Sequence, residues 1–175
     1  MTEEYPLHLR PPLLADGKAV HELIKRCPPL DVNSSYNYFL LCSHFRDTCA
    51  VAEANDRLVG FLSAYLIPAR PQTLFVWQVA VDEAARGIGL AGRMLEQVTT
   101  RPVCAGVTTL ETTISPSNRS SRRVFERFAE KHQAPSCEET FLEAGHFGAE
   151  AHEEERLIRI GPWKHTPIMQ REQMP

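Results

Sequence analysis

The segment Val81-Asp-Glu-Ala-Ala-Arg86-Gly87-Ile88-Gly89-Leu90-Ala91 is where residue types and spacing most plainly prescribe chemistry. A glycine-rich turn that feeds a helix aims several backbone N–H groups in one direction and adds the positive end of the helix dipole, so it binds anions, phosphates above all. Arg86 supplies a formal charge. Two common phosphate loops do not match: there is no G-K-[ST], and no acidic residue ends a following strand where a dinucleotide fingerprint needs one. A purely structural glycine turn remains open on these residues alone. A second chemical signal is Glu111. In Thr108-Thr-Leu-Glu-Thr-Thr-Ile-Ser115 the residues Thr109, Glu111, Thr113 and Ser115 share one face of a strand, with Leu110, Thr112 and Ile114 on the other. A carboxylate flanked by hydroxyls reads as the wall of a site or as a solvent-facing strand surface. The run Glu150 to Glu155 reads as a solvated acidic stretch, and Asp31 as a helix cap. Metal chemistry finds no support: the seven histidines form no H-x-x-x-H or H-E-x-x-H pattern and the five cysteines no C-x-x-C. Those thiols read as reduced and packed in the interior.

These groups need a scaffold, and the hydrophobic periodicity outlines one. After a short strand at Leu7 to Arg10, Asp16 can cap a helix whose apolar residues Val20, Leu23, Ile24 and Cys27 recur at helical spacing, and Pro28-Pro29 stops it. A second helix, Tyr36 to about Phe45, is apolar nearly all round, which predicts burial or a partner. Cys49 to Ala54 and Leu58 to Ile67 alternate as strands around Asn55-Asp56-Arg57, a hairpin signal. Pro68 and Pro71 end the second, and Thr73 to Asp82 follows. There Phe75, Trp77, Val79 and Val81 at odd positions predict one large apolar face, with the even positions mostly apolar too, as in a strand buried on both sides. Gly87 to about Thr99 is helical, Thr108 to Ser115 extended and Asn118 to His132 helical. Phe141-Leu142 and Arg156 to Ile160 are two late strands. The order β-α-α-β-β-β-α-β-α-β-β predicts a mixed α/β sheet with helices on both faces.

The chain of 175 residues is sized for one domain, read as residues 1–161, with a polar, frayed tail at 162–175. Hydrophobic residues at 43% allow a real core. A formal charge of −3 argues against a protein that coats nucleic acid or an anionic membrane. The start lacks the pattern of a secretory signal and no apolar run approaches a membrane span, which predicts a soluble, cytoplasmic protein. The small net charge hides two opposed regions. Arg86 to Lys131 holds eight basic and four acidic residues, whereas Glu138 to Glu155 holds seven glutamates and no lysine or arginine.

Arg86-Gly-Ile-Gly-Leu-Ala91 matches R/Q-x-x-G-x-G/A, and with the order of elements it resembles the acetyl-CoA motif of the GNAT N-acetyltransferases over nearly the whole chain. The resemblance implies a GNAT fold: a mixed, mostly antiparallel sheet flanked by helices, with central strands splayed to bind CoA. It implies acetyl-CoA as co-substrate, with no metal. Its pyrophosphate would sit on the amides of Arg86, Gly87, Ile88, Gly89, Leu90 and Ala91, its pantetheine arm beside Val79 and Val81, and Asn118 would contact that arm. Many members carry a tyrosine as proton donor on the later helix; Phe125 stands at that place here.

Four separated segments narrow the resemblance. Leu30-Asp-Val-Asn-Ser-Ser-Tyr36-Asn-Tyr38, Val76-Trp77-Gln-Val79-Ala-Val-Asp82, Thr113-Ile-Ser-Pro-Ser-Asn118 and His152-Glu-Glu-Glu155 followed by Ile160-Gly-Pro162 resemble the L-2,4-diaminobutyrate acetyltransferases of ectoine biosynthesis. The resemblance implies transfer of acetyl to the 4-amino group of diaminobutyrate. Asp31, Tyr36, Trp77, Thr113, His152 and Glu155 would then bind the small diamine, and Asp31, Glu111 or Glu155 would draw off a proton directly or through water. It also implies a homodimer, to which the apolar second helix lends itself. Nucleic acid and membrane partners are not expected. Two other readings stay open: a GNAT enzyme for another small or protein amine, and a non-catalytic acetyl-CoA sensor.

Overall fold

The computed structural model describes residues 7–148 and 152–164. Seven strands form one sheet in the order β1-β2-β3-β4-β5-β7-β6. They are β1 (His8–Arg10), β2 (Ala50–Ala54), β3 (Arg57–Ile67), β4 (Arg70–Val81), β5 (Thr109–Ile114), β6 (Ser136–Leu142) and β7 (Glu155–Ile160). Every pairing is antiparallel except β4 with β5. Helices α1 (Gly17–Lys25) and α2 (Ser35–Ser43) cover one face, α3 (Leu90–Thr99) and α4 (Arg119–Lys131) the other. The β2–β3 turn is tight because Asn55 and Asp56 both take positive φ, 51° and 57°, as a two-residue hairpin of matching twist requires.

Two cores follow from this layering. Val20, Leu23 and Ile24 of α1, at helical spacing, pack with Tyr38, Leu41 and Cys42 of α2 against Val51, Phe61 and Ala80. On the other face Met94, Leu95 and Val98 of α3 and Phe125 and Phe128 of α4 close over Leu62, Leu74, Val76 and Leu110. Burying each such side chain contributes about 1.5–3 kcal/mol. Helix α2 is not apolar all round in its packing: Tyr36 on its first turn is 69% exposed. Asp16 precedes α1 without capping it. Its carboxylate takes two bonds from Arg10, at 2.7 and 3.1 Å, and one from the Leu13 amide, tying β1 to the helix start.

The expected alternation along β4 fails at one residue. Ser63 and Ala64 of β3 pair with Gln78 and Val76, so Trp77 is an extra residue, a β-bulge. Before it the even positions Leu74 and Val76 face α3 and α4; after it Val79 and Val81 pack on that side, while Ala80 joins the α1–α2 core. The odd positions therefore do not share a face. Pro71 lies inside β4 rather than ending its predecessor. At the far edge β6 begins at Ser136, well before Phe141, and nearly all its residues are exposed. Such an edge strand has no buried face to impose alternation, which is why only its end was legible.

The expected tail boundary also shifts. Trp163 is 4% exposed, with its ring 5.4 Å from that of Phe128, so this residue belongs to the domain. From residue 165 on, the expected tail lies outside the described residues. Among those described, no helix is long and apolar enough to cross a membrane.

Candidate active site

The parallel ladder between β4 and β5 stops early. It joins Thr73–Val76 to Thr109–Thr112, and beyond it Trp77–Val81 have no partner on β5. The two strands separate at the bulge, leaving one edge of β4 free beside a cleft of about 890 Å³. Val79 and Val81 line it from the strand, Val124 and Phe125 from α4, and Cys27–Leu30 from the end of α1. An extended chain of amides could pair with that free edge as a further strand would.

At the mouth lies the glycine turn. Gly87 and Gly89 hold φ of 84° and 73°, conformations that an L side chain adopts at a cost, while a Cβ at either would meet nothing within 4 Å. Backbone geometry rather than crowding calls for glycine here. The turn delivers the start of α3, whose first amides have no intrahelical acceptor, to the cleft. Arg86, Gly87, Gly89, Leu90 and Ala91 line it. The side chain of Ile88, whose amide rather than side chain carries the expectation, is 54% exposed and lies outside the lining. Asn118 lines the cleft and also caps α4, its Oδ1 accepting from the Ser121 amide at 3.2 Å. Its amide nitrogen is left to donate to a ligand. Phe125, 2% exposed, brings no hydroxyl to the place where a tyrosine acid would stand.

Cations missed in the sequence reading surround this cleft. Arg123, Arg127 and Lys131 line it from successive turns of α4, with Arg93 of α3 across from them. Their four-residue spacing was visible in the sequence, but the facing of α4 was not. Arg123 and Arg127 have no ion-pair partner among the described residues, so their charge is available to a phosphate-rich ligand.

The second half of the site assembles from three distant segments. His152 Nε2 lies 3.7 Å from Asp31 Oδ2 and 4.0 Å from Glu155 Oε1. Glu155 Oε1 accepts from the Ser115 hydroxyl at 3.0 Å, and Glu153 accepts from the Ser117 amide at 3.1 Å. Phe147 stacks on the His152 ring with centroids 3.9 Å apart. The Glu153 carbonyl, and then the Asp31 and Glu155 carboxylates, raise the His152 pKa above its ordinary value. Asp31 is pinned from behind: Gln78, buried next to the bulge, donates to the Asp31 carbonyl at 2.8 Å, and the Tyr38 hydroxyl accepts from the Asn33 amide at 3.2 Å. Sequence reasoning missed Gln78 because a polar residue in a two-sided apolar strand carries no pattern of its own. Thr113 lies two residues before Ser115 on the same strand face. Trp77, 40% exposed at the bulge, stands where the two strands part, and Tyr36 is open to solvent on α2.

Glu111 is not brought into this cluster. It shares the β5 face with Thr113 and Ser115, but lies four residues, or roughly 13 Å of strand, before Ser115. Arg70 donates to both its oxygens, at 2.6 and 2.9 Å, and Arg159 donates to one at 2.7 Å. The two guanidiniums cover the carboxylate, leaving it 2% exposed, and hold its pKa below the ordinary value. A carboxylate so engaged is a poor proton acceptor, which counts against the expectation that Glu111 serves as a base.

Comparison with known proteins bears on this geometry. The model of the acetyltransferase (GNAT) family matches residues 17–129. An L-2,4-diaminobutyric acid acetyltransferase of Bordetella parapertussis is 50% identical over 161 residues, 91% of this chain and 87% of that protein. One of Halomonas elongata is 49% identical, over 95% and 86%. Among solved structures, the diaminobutyrate acetyltransferase EctA from Paenibacillus lautus, in complex with its substrate L-2,4-diaminobutyric acid and coenzyme A, superimposes with a TM-score of 0.90 at 43% identity. That match covers 93% of this chain and 98% of the other. With the splayed strands, the glycine turn and the acidic cluster all in place, the chain belongs to the GNAT acetyltransferases and, within them, to the L-2,4-diaminobutyric acid acetyltransferases.

Proposed function

We propose that this protein transfers acetyl from acetyl-CoA to the 4-amino group of L-2,4-diaminobutyrate, giving N4-acetyl-L-2,4-diaminobutyrate, the precursor that is cyclised to the osmolyte ectoine. The observation that carries the reading is the convergence of Asp31, His152 and Glu155 from distant segments at the same end of the sheet as the open edge of β4. Charges divide as the two substrates require: cations from α3 and α4 line the cleft suited to CoA phosphates, and carboxylates face the place suited to ammonium groups.

In this reading Asp31 and Glu155 hold the diamine, Tyr36, Trp77 and Thr113 wall it, and the 4-amine attacks the thioester directly in a ternary complex. An alkylammonium titrates near 10.4, so the amine sheds a proton within the cluster before attack. Amides on the free edge of β4, that of Val79 among them, stabilise the tetrahedral oxyanion. The protein works in the cytoplasm, in keeping with its five unpaired cysteines, and serves the response to osmotic stress. It forms a homodimer. The exposed Tyr36, Trp77 and Phe141 supply apolar surface for it.

Purified protein incubated with acetyl-CoA and a panel of amines, followed by mass analysis, is expected to yield acetylated diaminobutyrate far ahead of polyamines, lysine or peptide termini. Asp31→Ala and Glu155→Ala that both keep near-normal turnover would refute the assigned pocket. Light scattering should give twice the chain mass.

A further inference from the structure

The His152 ring is fixed in one orientation and one tautomer. Its Nδ1 lies 2.6 Å from the Glu153 carbonyl oxygen. A carbonyl only accepts, so Nδ1 carries the proton and in the neutral ring the lone pair is on Nε2. The stack on Phe147 holds the ring plane, and Nε2 faces the gap between Asp31 Oδ2 and Glu155 Oε1. That gap is where two carboxylates would draw an ammonium group. Free carboxylates titrate near 4, imidazole near 6.5 and alkylammonium near 10.4, so imidazole is the strongest base among the side-chain types in this cluster.

We propose that His152 is the general base, its Nε2 taking the proton from the 4-ammonium of the acceptor while Asp31 and Glu155 hold that ammonium and then stabilise the imidazolium. The inference rests on the acetyl-transfer reading and names the group that makes its nucleophile. The ammonium gives one proton to Nε2, and the freed nitrogen pair forms the C–N bond to the thioester carbon. The C–S bond breaks with its electrons remaining on sulfur. The second proton of the new amide nitrogen passes to that sulfur, and the imidazolium returns its proton to solvent, which reaches the ring at its 24% exposed surface. The products are one amide, one thiol and one proton released.

Among the described residues, Asp31 comes from the α1–α2 loop and Glu155 from β7, while the segment after β6 places the Phe147 ring against that of His152. The neighbouring Glu153 carboxylate is turned to the Ser117 amide but also feels the ring's charge. All three are acidic, so the imidazolium is favoured and activity must rise with pH as the ring becomes neutral.

The test is the pH dependence of kcat for wild type and His152→Gln. Wild type should show an acid limb, activity rising as the ring loses its proton. His152→Gln should lose that limb and about 100-fold in kcat, with the KM for diaminobutyrate changed less than about threefold. His152→Ala should regain turnover with added imidazole, in proportion to its neutral form. A limb that persists in His152→Gln, or a defect confined to KM, overturns the proposal. So does an alanine variant with a wild-type melting curve that imidazole does not rescue; if that variant does not fold, the glutamine profile decides. A wild-type enzyme that ignores diaminobutyrate and acetylates another amine overturns the substrate reading instead, and the same profile taken with that amine judges His152 separately.

Discussion

Replacing Glu111 with glutamine separates a structural carboxylate from a catalytic one. The side chain receives three charge-assisted hydrogen bonds, two from Arg70 and one from Arg159. Glutamine keeps the shape but sets an NH2 group against a guanidinium and removes the charge that makes such bonds worth about 1.5–3 kcal/mol each. The loss is partly returned, because Arg70 and Arg159 are 49% and 36% exposed and water replaces their partner. A net cost of about 2 kcal/mol is expected, or roughly 4–8 °C in Tm for a domain of this size. Turnover should stay within about twofold of wild type, since the carboxylate lies roughly 13 Å along β5 from Ser115. Acid should erase the difference. The two arginines depress the folded-state pKa of Glu111, so its stabilisation is complete above the unfolded value and is lost as pH falls through the lower folded one. Thermal melts of both proteins from pH 7 to 3, with steady-state kinetics at pH 8, measure all three quantities. An unchanged Tm together with a hundredfold loss of kcat would show that Glu111 handles the proton after all.

Other consequences can be checked in the same preparations. Gln78→Leu should cost about 1–2 kcal/mol through the lost bond to the Asp31 carbonyl, and raise the KM for diaminobutyrate about tenfold, the equivalent of about 1.4 kcal/mol. The KM for acetyl-CoA should stay within about twofold, and equal increases in both would mean that Gln78 supports the sheet rather than the loop. Gly89→Ala places a side chain at φ 73° with open space around it, so backbone strain of about 1–2 kcal/mol is the cost. Isothermal titration should show weaker CoA binding, and unchanged affinity would count against the turn as the phosphate seat. Glu138, held near a pKa of about 2 by Arg122 and then Arg156, ties α4 to the sheet edge. Its contribution is present above the ordinary carboxylate range and disappears toward pH 2, so Glu138→Gln should lower Tm at pH 7 and converge with wild type in acid.

Much of this architecture was legible because local rules agree with the fold. The i, i+3, i+4 spacing in α1, the Asn55-Asp56 turn and the glycines at 87 and 89 each prescribe one local structure. Glu111 shows where such reading stops. Its strand face was correctly inferred, but Arg70 and Arg159 come from 41 residues before and 48 after, and nothing local announces them. Asp31 and His152 meet for the same non-local reason, and here the family resemblance supplied what periodicity could not. Trp77 misled in the opposite way. A continuous apolar alternation concealed an extra residue, because both faces of β4 are buried and a bulge leaves no mark on a strand that is apolar on both sides.

That bulge makes the register of β4 a commitment of the whole site. Deleting Trp77 would leave Gln78 opposite Ser63 and keep Val79 and Val81 on the faces they now hold, but would remove the kink at which β4 turns away from β5, closing the gap between the two strands in a single step. A length change here therefore acts on the cleft as a whole, whereas the loops that carry Asp31 and His152 can vary residue by residue. A lineage that changes its amine acceptor should do so through those two loops, at opposite ends of the chain, with the central strand unaltered in length.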